Sequence, residues 1–129
     1  VSPAGVGIYD NGNYRAAAFE PLSTTKYSRA VIYSVDEAAM TVRQTWSYGA
    51  PSGNSSFFSS AMGNATWLAS TGNELIANGL LVTKPDRTSA QILEVAPDGT
   101  RLFELDIGGN AANSWYLMHR ARRIADVRQ

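Results

Sequence analysis

RAVIYSVDEAAMTVRQTWSY, residues 29–48, is the stretch that decides the fold. Two runs rich in β-branched and aromatic residues, 29–36 and 41–48, flank Asp36-Glu37-Ala38-Ala39. Runs of that length on either side of an acidic turn read as an antiparallel hairpin. An imperfect second copy lies 60 residues further on: AVIYSV at 30–35 matches AQILEV at 90–95. Each leads through an acidic turn into a strand containing threonine, TVRQTW from Thr41 and TRLFEL from Thr100. The second turn is Pro97-Asp98-Gly99, a strong hairpin signal because glycine accepts the positive φ needed there. IYDNG at 8–12 likewise resembles LIANG at 75–79, 67 residues on, so one order of elements occurs twice with loops of different length.

Outward from these hairpins, short β-rich runs separated by Gly, Asn, Asp, Ser and Pro continue along the chain, and helical periodicity is scarce. Strands are expected at 5–10, 29–36, 41–48, 65–69, 74–82, 90–96, 101–107 and 115–124. In the last of these, SWYLMHRARRI at 114–124, Leu117, Arg120 and Ile124 also fit a helical stripe, while the aromatic start suits a strand. The fold class is all-β, with antiparallel sheets. A unit of four such strands is the size of a β-propeller blade, and propellers close with about 4 to 8 blades. This chain holds about two, in a single propeller segment: a partial blade over 1–49, a complete blade over 57–108 and the start of another over 114–124. The expected partner is therefore the remainder of the ring, from the same gene product or another chain.

Composition narrows the function. With 129 residues, 44% hydrophobic and 17% charged, the chain has ordinary globular composition and should bury a core. Eleven basic residues balance eleven acidic ones, which gives no broad attraction to nucleic acid or to an anionic membrane. Cysteine is absent, so disulfides, zinc-thiolate sites and thiol nucleophiles are excluded. No phosphate-binding Gly-rich loop, zinc-protease helix motif or calcium loop occurs, and neither a metal nor another cofactor is expected. Arg120, Arg122, Arg123 and Arg128 form a small basic end, read as a solvated edge.

Four stretches together carry a family resemblance: IYDNGNYR at 8–15, KYSRAVIYSVDEAAMTVRQTWSYG at 26–49, FFSSAMGNATWLASTGNELI at 57–76, and ILEVAPDGTRLFEL at 92–105 ahead of HRARRI. The chain resembles the C-terminal portion of the bacterial arylsulfotransferase family over nearly its whole length. The specific parts are Asp-Asn-Gly-x-x-Arg and Tyr-Ser-Arg-x-Val-x-Tyr-x-x-Asp-Glu. The resemblance implies a six-bladed propeller, periplasmic or secreted, that moves a sulfuryl group from a phenolic sulfate ester to a phenol. It further implies a histidine intermediate and no nucleotide donor. The small-molecule partner would be a phenol or an aryl sulfate.

The resemblance places Arg15 in the sulfate site, as the catalytic candidate. A sulfate ester is a compact anion whose transfer resembles phosphoryl transfer, where charge on equatorial oxygens must be stabilised. The planar guanidinium donates two parallel hydrogen bonds to such an oxyanion. The alternative for Arg15 is a solvated hairpin residue. Asp10 and Asn11 are substrate-binding candidates as members of the same turn, and they also serve simply as turn formers. Asn78, in the repeated ANG element, is the third such candidate, expected beside its counterpart near the channel mouth.

The chain departs from the family in its histidines. Its single histidine is His119, within MHRARRI, with no activating neighbour in the sequence, and it reads as a strand residue. The family nucleophile falls near Asn78, where there is no histidine. Two functions of different class stand: a segment of an arylsulfotransferase-like enzyme completed by another stretch of polypeptide, or a non-catalytic propeller that binds a ligand or protein.

Overall fold

A computed structural model describes residues 5–13, 26–84, 87–108 and 112–124. Among them are seven strands and no helix: β1 (Val6–Asp10), β2 (Arg29–Asp36), β3 (Thr41–Tyr48), β4 (Asn64–Leu68), β5 (Asn73–Lys84), β6 (Arg87–Val95) and β7 (Arg101–Ile107). They form two antiparallel meanders, a three-stranded sheet β1-β2-β3 and a four-stranded sheet β4-β5-β6-β7. The fold is all-β, and each meander has the strand order of a propeller blade, the first with three strands among the described residues.

Local chemistry explains both hairpins. In the β2–β3 turn the Ala39 N–H donates to Asp36 Oδ1 at 2.9 Å, and Met40 takes a φ of 53°. In the β6–β7 turn Gly99 has a φ of 88°, its N–H donates to Ala96 O at 2.9 Å, and Thr100 N–H donates to Asp98 Oδ1 at 2.9 Å. That Asx contact holds the Asp98 carboxyl below the usual carboxylate range, chiefly through the Thr100 backbone N–H.

Bulges in β3 and in the middle of β5 shape the two sheets. Ile32 faces Trp46 and Tyr33 faces Gln44, which leaves Thr45 as an extra residue in β3, its hydroxyl donating to Ile32 O at 3.2 Å. In β5 the register breaks between Asn78 and Leu81. The backbone groups freed there find other partners: Leu80 N–H donates to Ser59 Oγ at 2.9 Å, and Gly79 O accepts from Met118 N–H at 3.0 Å.

The two sheets pack face to face. Ala30, Tyr48, Ile76, Leu93 and Val95 form the buried cluster, with Tyr9, Trp46, Phe57 and Ala65 against it. Along β5, Glu74, Ile76 and Asn78 look toward the first sheet, as period-two alternation requires, and all three are buried. Full burial of a side chain such as Ile76 or Leu93 contributes about 1.5–3 kcal/mol, so this seam is what holds the sheets together.

The strand expected at 115–124 is not formed. Residues 112–124 run as irregular chain across the second sheet, tied down at separate points. Thr88 N–H donates to Ser114 O at 3.0 Å, Tyr116 N–H donates to Thr88 Oγ1 at 3.0 Å, and Arg123 Nη1 pairs with Glu94 Oε1 at 3.0 Å. The reason is that β5 and β6 are interior strands, each already paired on both edges, so a segment crossing them has no ladder to join. A helix is equally absent there.

Candidate functional site

The turn after β1 is built almost entirely from side chains that hold backbone. Gly12 takes a φ of 72°, a conformation that favours glycine, and its N–H donates to Asp10 Oδ1 at 2.9 Å. The other carboxylate oxygen of Asp10 accepts from Arg29 Nε at 3.1 Å, across the last pair of the β1–β2 ladder. Asn11 Nδ2 donates to Ser59 O at 2.7 Å and to Met62 O at 2.8 Å. Asn13 Nδ2 donates to Ser60 O at 2.6 Å. Ser28, fully buried, donates its hydroxyl to Asn11 O at 2.9 Å and accepts from Ser59 N–H at 2.9 Å.

Residues 59–62 are thus a cradle for the turn, and the cradle is itself fixed from behind. Ser59 Oγ donates to Ala61 O at 2.9 Å while accepting from Leu80 N–H in the β5 bulge. The turn after β1, the loop ahead of β4 and the bulge of β5 form one hydrogen-bonded unit that joins the two sheets.

Arg15 lies outside the described residues, two positions beyond the last anchored one, Asn13. Asp10 and Asn11 are where the sequence puts them, at the head of the turn, and the contacts above engage their side chains with the protein. Asn78 is not in a turn. It lies inside β5, because the bulge at residues 79–80 absorbs the glycine and the strand continues to Lys84. Fully buried, it accepts from Tyr9 Oη at 2.7 Å and donates through Nδ2 to Gln91 Oε1 at 3.0 Å. Gln91 Nε2 in turn donates to Glu104 Oε1 at 2.8 Å and Asp106 Oδ1 at 2.9 Å. Burial pushes the Tyr9 phenol up to about 12, against the lowering effect of the Ser59 and Ser28 hydroxyls, so it stays protonated and able to donate. Asn78 is the middle of a relay from β1 through β5 and β6 to β7.

His119 is exposed and belongs to no strand. Its neighbour Met118 donates its N–H to Gly79 O, and a Cβ on Gly79 would meet Met62 Cβ at 2.7 Å and Gly63 N at 2.9 Å. Since Met62 O also accepts from Asn11, the histidine is carried to the same end of the molecule as the turn. Among the described residues no group of three or more His, Asp or Glu is placed to hold a metal ion. Sequence reading missed the cradle at residues 59–62. The signal available to it was the serine-rich run SSFFSS at 55–60, whose hydroxyls and carbonyls needed partners.

The family model for arylsulfotransferase (ASST) matches residues 3–117, which include the whole turn, its cradle and both sheets. The chain belongs to the arylsulfotransferase family. Over 42 residues it is 50% identical to the arylsulfate sulfotransferase AssT of Escherichia coli O6:H1 (strain CFT073). That match takes in 33% of this chain and 7% of the length of the E. coli protein. The residues of the arylsulfotransferase match thus span both hairpins read from the repeat and the Asp-Asn-Gly-x-x-Arg element.

Proposed function

We propose that this chain supplies the oxyanion-binding arginine of a propeller that transfers a sulfuryl group from a phenolic sulfate ester to a phenol. The observation that carries the reading is the turn at residues 10–13, held by side-chain amides at 2.6–2.8 Å from Ser59, Ser60 and Met62 carbonyls. A turn anchored so firmly next to an arginine limits the entropy lost when that arginine engages an anion. In the proposed reaction the ester S–O bond breaks as a nucleophile bonds to sulfur, and the donor leaves as a phenolate. The acceptor phenol's oxygen then bonds to sulfur as the nucleophile–sulfur bond breaks and frees the nucleophile, and the acceptor's proton balances the one the released phenolate takes up from solvent. Arg15 donates to the non-bridging oxygens, whose negative charge is greatest in transfer.

The nucleophile in this reading is a histidine supplied by the remainder of a longer polypeptide, which also completes the ring. Exposed blade-face residues such as Leu102, Phe103 and Leu105 support a further covering element. His119 is the candidate within this chain, and a His119→Gln variant distinguishes the two sources. A periplasmic or secreted location goes with the same proposal and is tested by fractionation.

The deciding experiment is Arg15→Lys in the full-length protein. Lysine keeps the charge and loses the two-pronged geometry, so aryl-sulfate-to-phenol transfer should slow by about ten-fold or more, on the scale of 1–3 kcal/mol, with the melting curve unchanged. Unchanged transfer by the lysine variant removes Arg15 from the site; no transfer by the wild-type protein with any aryl sulfate favours the second reading, a propeller that binds without catalysis. The lone His119 is the observation on that side.

A further inference from the structure

Between the sheets, away from the turn after β1, lies a cavity of about 330 Å³. Ile32 and Trp46 of the first sheet form one wall; Trp67, Val95 and Pro97 of the second form the other, with the Glu74 carboxyl among them. Both walls belong to this chain, and the volume is at the small end for organic ligands.

Glu74 is the anomaly. It is 4% exposed, and no hydrogen bond or ion pair among the described residues reaches its carboxyl group. The other polar lining groups are engaged differently: the Thr45 hydroxyl donates to Ile32 O, and the Trp46 indole N–H donates to Pro97 O at 3.0 Å. Glu74 is the only titratable residue among those lining the cavity, and burial alone raises its carboxyl to about 7. An acid so placed is poised near neutrality: in the empty cavity it exchanges its proton around pH 7, and a cation that joins it holds it ionised.

The lining chemistry selects the cation. One carboxylate without further oxygen or imidazole donors does not make a metal site, since calcium and magnesium take about six or more ligands. No lysine or arginine lines the cavity to attract an anion. Two tryptophans, the strongest cation–π partners, together with isoleucine, valine and proline, suit a weakly hydrated organic cation rather than a small inorganic one. We propose that this cavity binds a small organic ammonium ion with an apolar body, its charge at the Glu74 carboxylate and its body between Trp46 and Trp67. Binding drives the proton from Glu74 to solvent. The site shares no residue with the turn after β1 and is independent of the sulfuryl-transfer reading.

The test uses benzyltrimethylammonium, whose charge does not titrate, added to the full-length protein and followed by tryptophan fluorescence and calorimetry. A site whose acid titrates near 7 is mostly ionised at pH 8 and mostly neutral at pH 6, so affinity should rise about ten-fold from pH 6 to pH 8. Calorimetry in buffers of different ionisation enthalpy should show proton release at pH 6. Glu74→Gln preserves shape and removes the charge; it should weaken binding at least about ten-fold and abolish the pH dependence. Trp46→Leu should weaken binding while leaving the pH dependence in place. The idea is overturned by the absence of binding at millimolar probe, by equal affinity in wild type and Glu74→Gln, or by benzyl alcohol binding as tightly as the cation. The proton release measured on wild type stands apart from the folding of either variant.

Discussion

Replacing Glu74 by glutamine should make the protein more stable at neutral pH, and the gain should vanish in acid. The carboxyl sits beside Trp67 and Val95 in the register of the second sheet, facing the first, and burial lifts it from 4.5 to about 7. Below 4.5 it is protonated in both folded and unfolded chains and costs the fold little. Between 4.5 and 7 the unfolded chain ionises while the folded one keeps its proton, so this group makes stability fall as pH rises, by about 1.4 kcal/mol per unit. Above 7 the loss is complete, on the order of 3 kcal/mol. Glutamine is neutral throughout and keeps the side-chain length. The measurement is chemical denaturation of wild type and variant in parallel from pH 4 to pH 8, read as the difference, so that carboxylates common to both cancel. The difference should be small at pH 4 and grow to a few kcal/mol in favour of glutamine at pH 8. A difference that is flat across this range, or one that favours wild type as pH rises, refutes the claim that Glu74 is an unpaired acid in an apolar cavity.

Three further outcomes follow from the hydrogen-bonded unit around the turn. Asn11→Ala removes the donor to Ser59 O and Met62 O and should cost about 1–3 kcal/mol in a denaturation experiment, with sulfuryl transfer falling alongside; unchanged stability would mean the cradle does not hold the turn. Asn78→Leu takes the acceptor from the Tyr9 O–H and the donor from Gln91 Oε1, at about 1–3 kcal/mol for a buried group left unpaired. Adding Tyr9→Phe should recover part of that loss, which a double-mutant cycle measures. Gly79→Ala drives a methyl into Met118 O and should cost about 1–3 kcal/mol, with faster protease cleavage within 112–124; cleavage at the wild-type rate would show that the segment does not depend on this contact.

The parts of the fold legible in the sequence are those fixed by short-range chemistry. Arg29–Asp36, Thr41–Tyr48 and Arg101–Ile107 were readable to the residue because β-branched runs meet turns of marked composition. The starts of β5 and β6 were less so: β6 begins at Arg87 and not at residue 90, since its first residues pair with the far end of a strand beyond a bulge. That bulge also decides where Asn78 lies. LIANG looks like the IYDNG turn, but a glycine inside a strand can mark a bulge as well as an end, and only the partners of Gly79 and Leu80 decide which. Those partners, Met118 and Ser59, are remote in sequence. The segment at 112–124 failed for the same reason, since strand character is useless beside strands already paired on both edges. Glu74 was invisible as a site because a lone glutamate in an alternating run gives no sign that its face is the buried one.

The position of the turn depends on contacts that no single element contains. Asn11 holds the carbonyls of Ser59 and Met62, Ser59 holds the β5 bulge at Leu80, and the same bulge takes Met118 through Gly79. A disturbance at Gly79 therefore has two routes outward, one to the turn that precedes Arg15 and one to the segment that carries His119. If the turn were merely the end of a strand, its asparagines would serve best by bonding their own backbone, as Asp10 does with Gly12. Asn11 and Asn13 instead reach the backbone of residues 59–62, some fifty positions away, ordering two loops at once. Ordering of that extent opposes chain entropy at every residue it fixes. Its physical consequence is a rigid platform spanning both sheets, which is what a charged side chain needs if it is to meet a compact anion without moving.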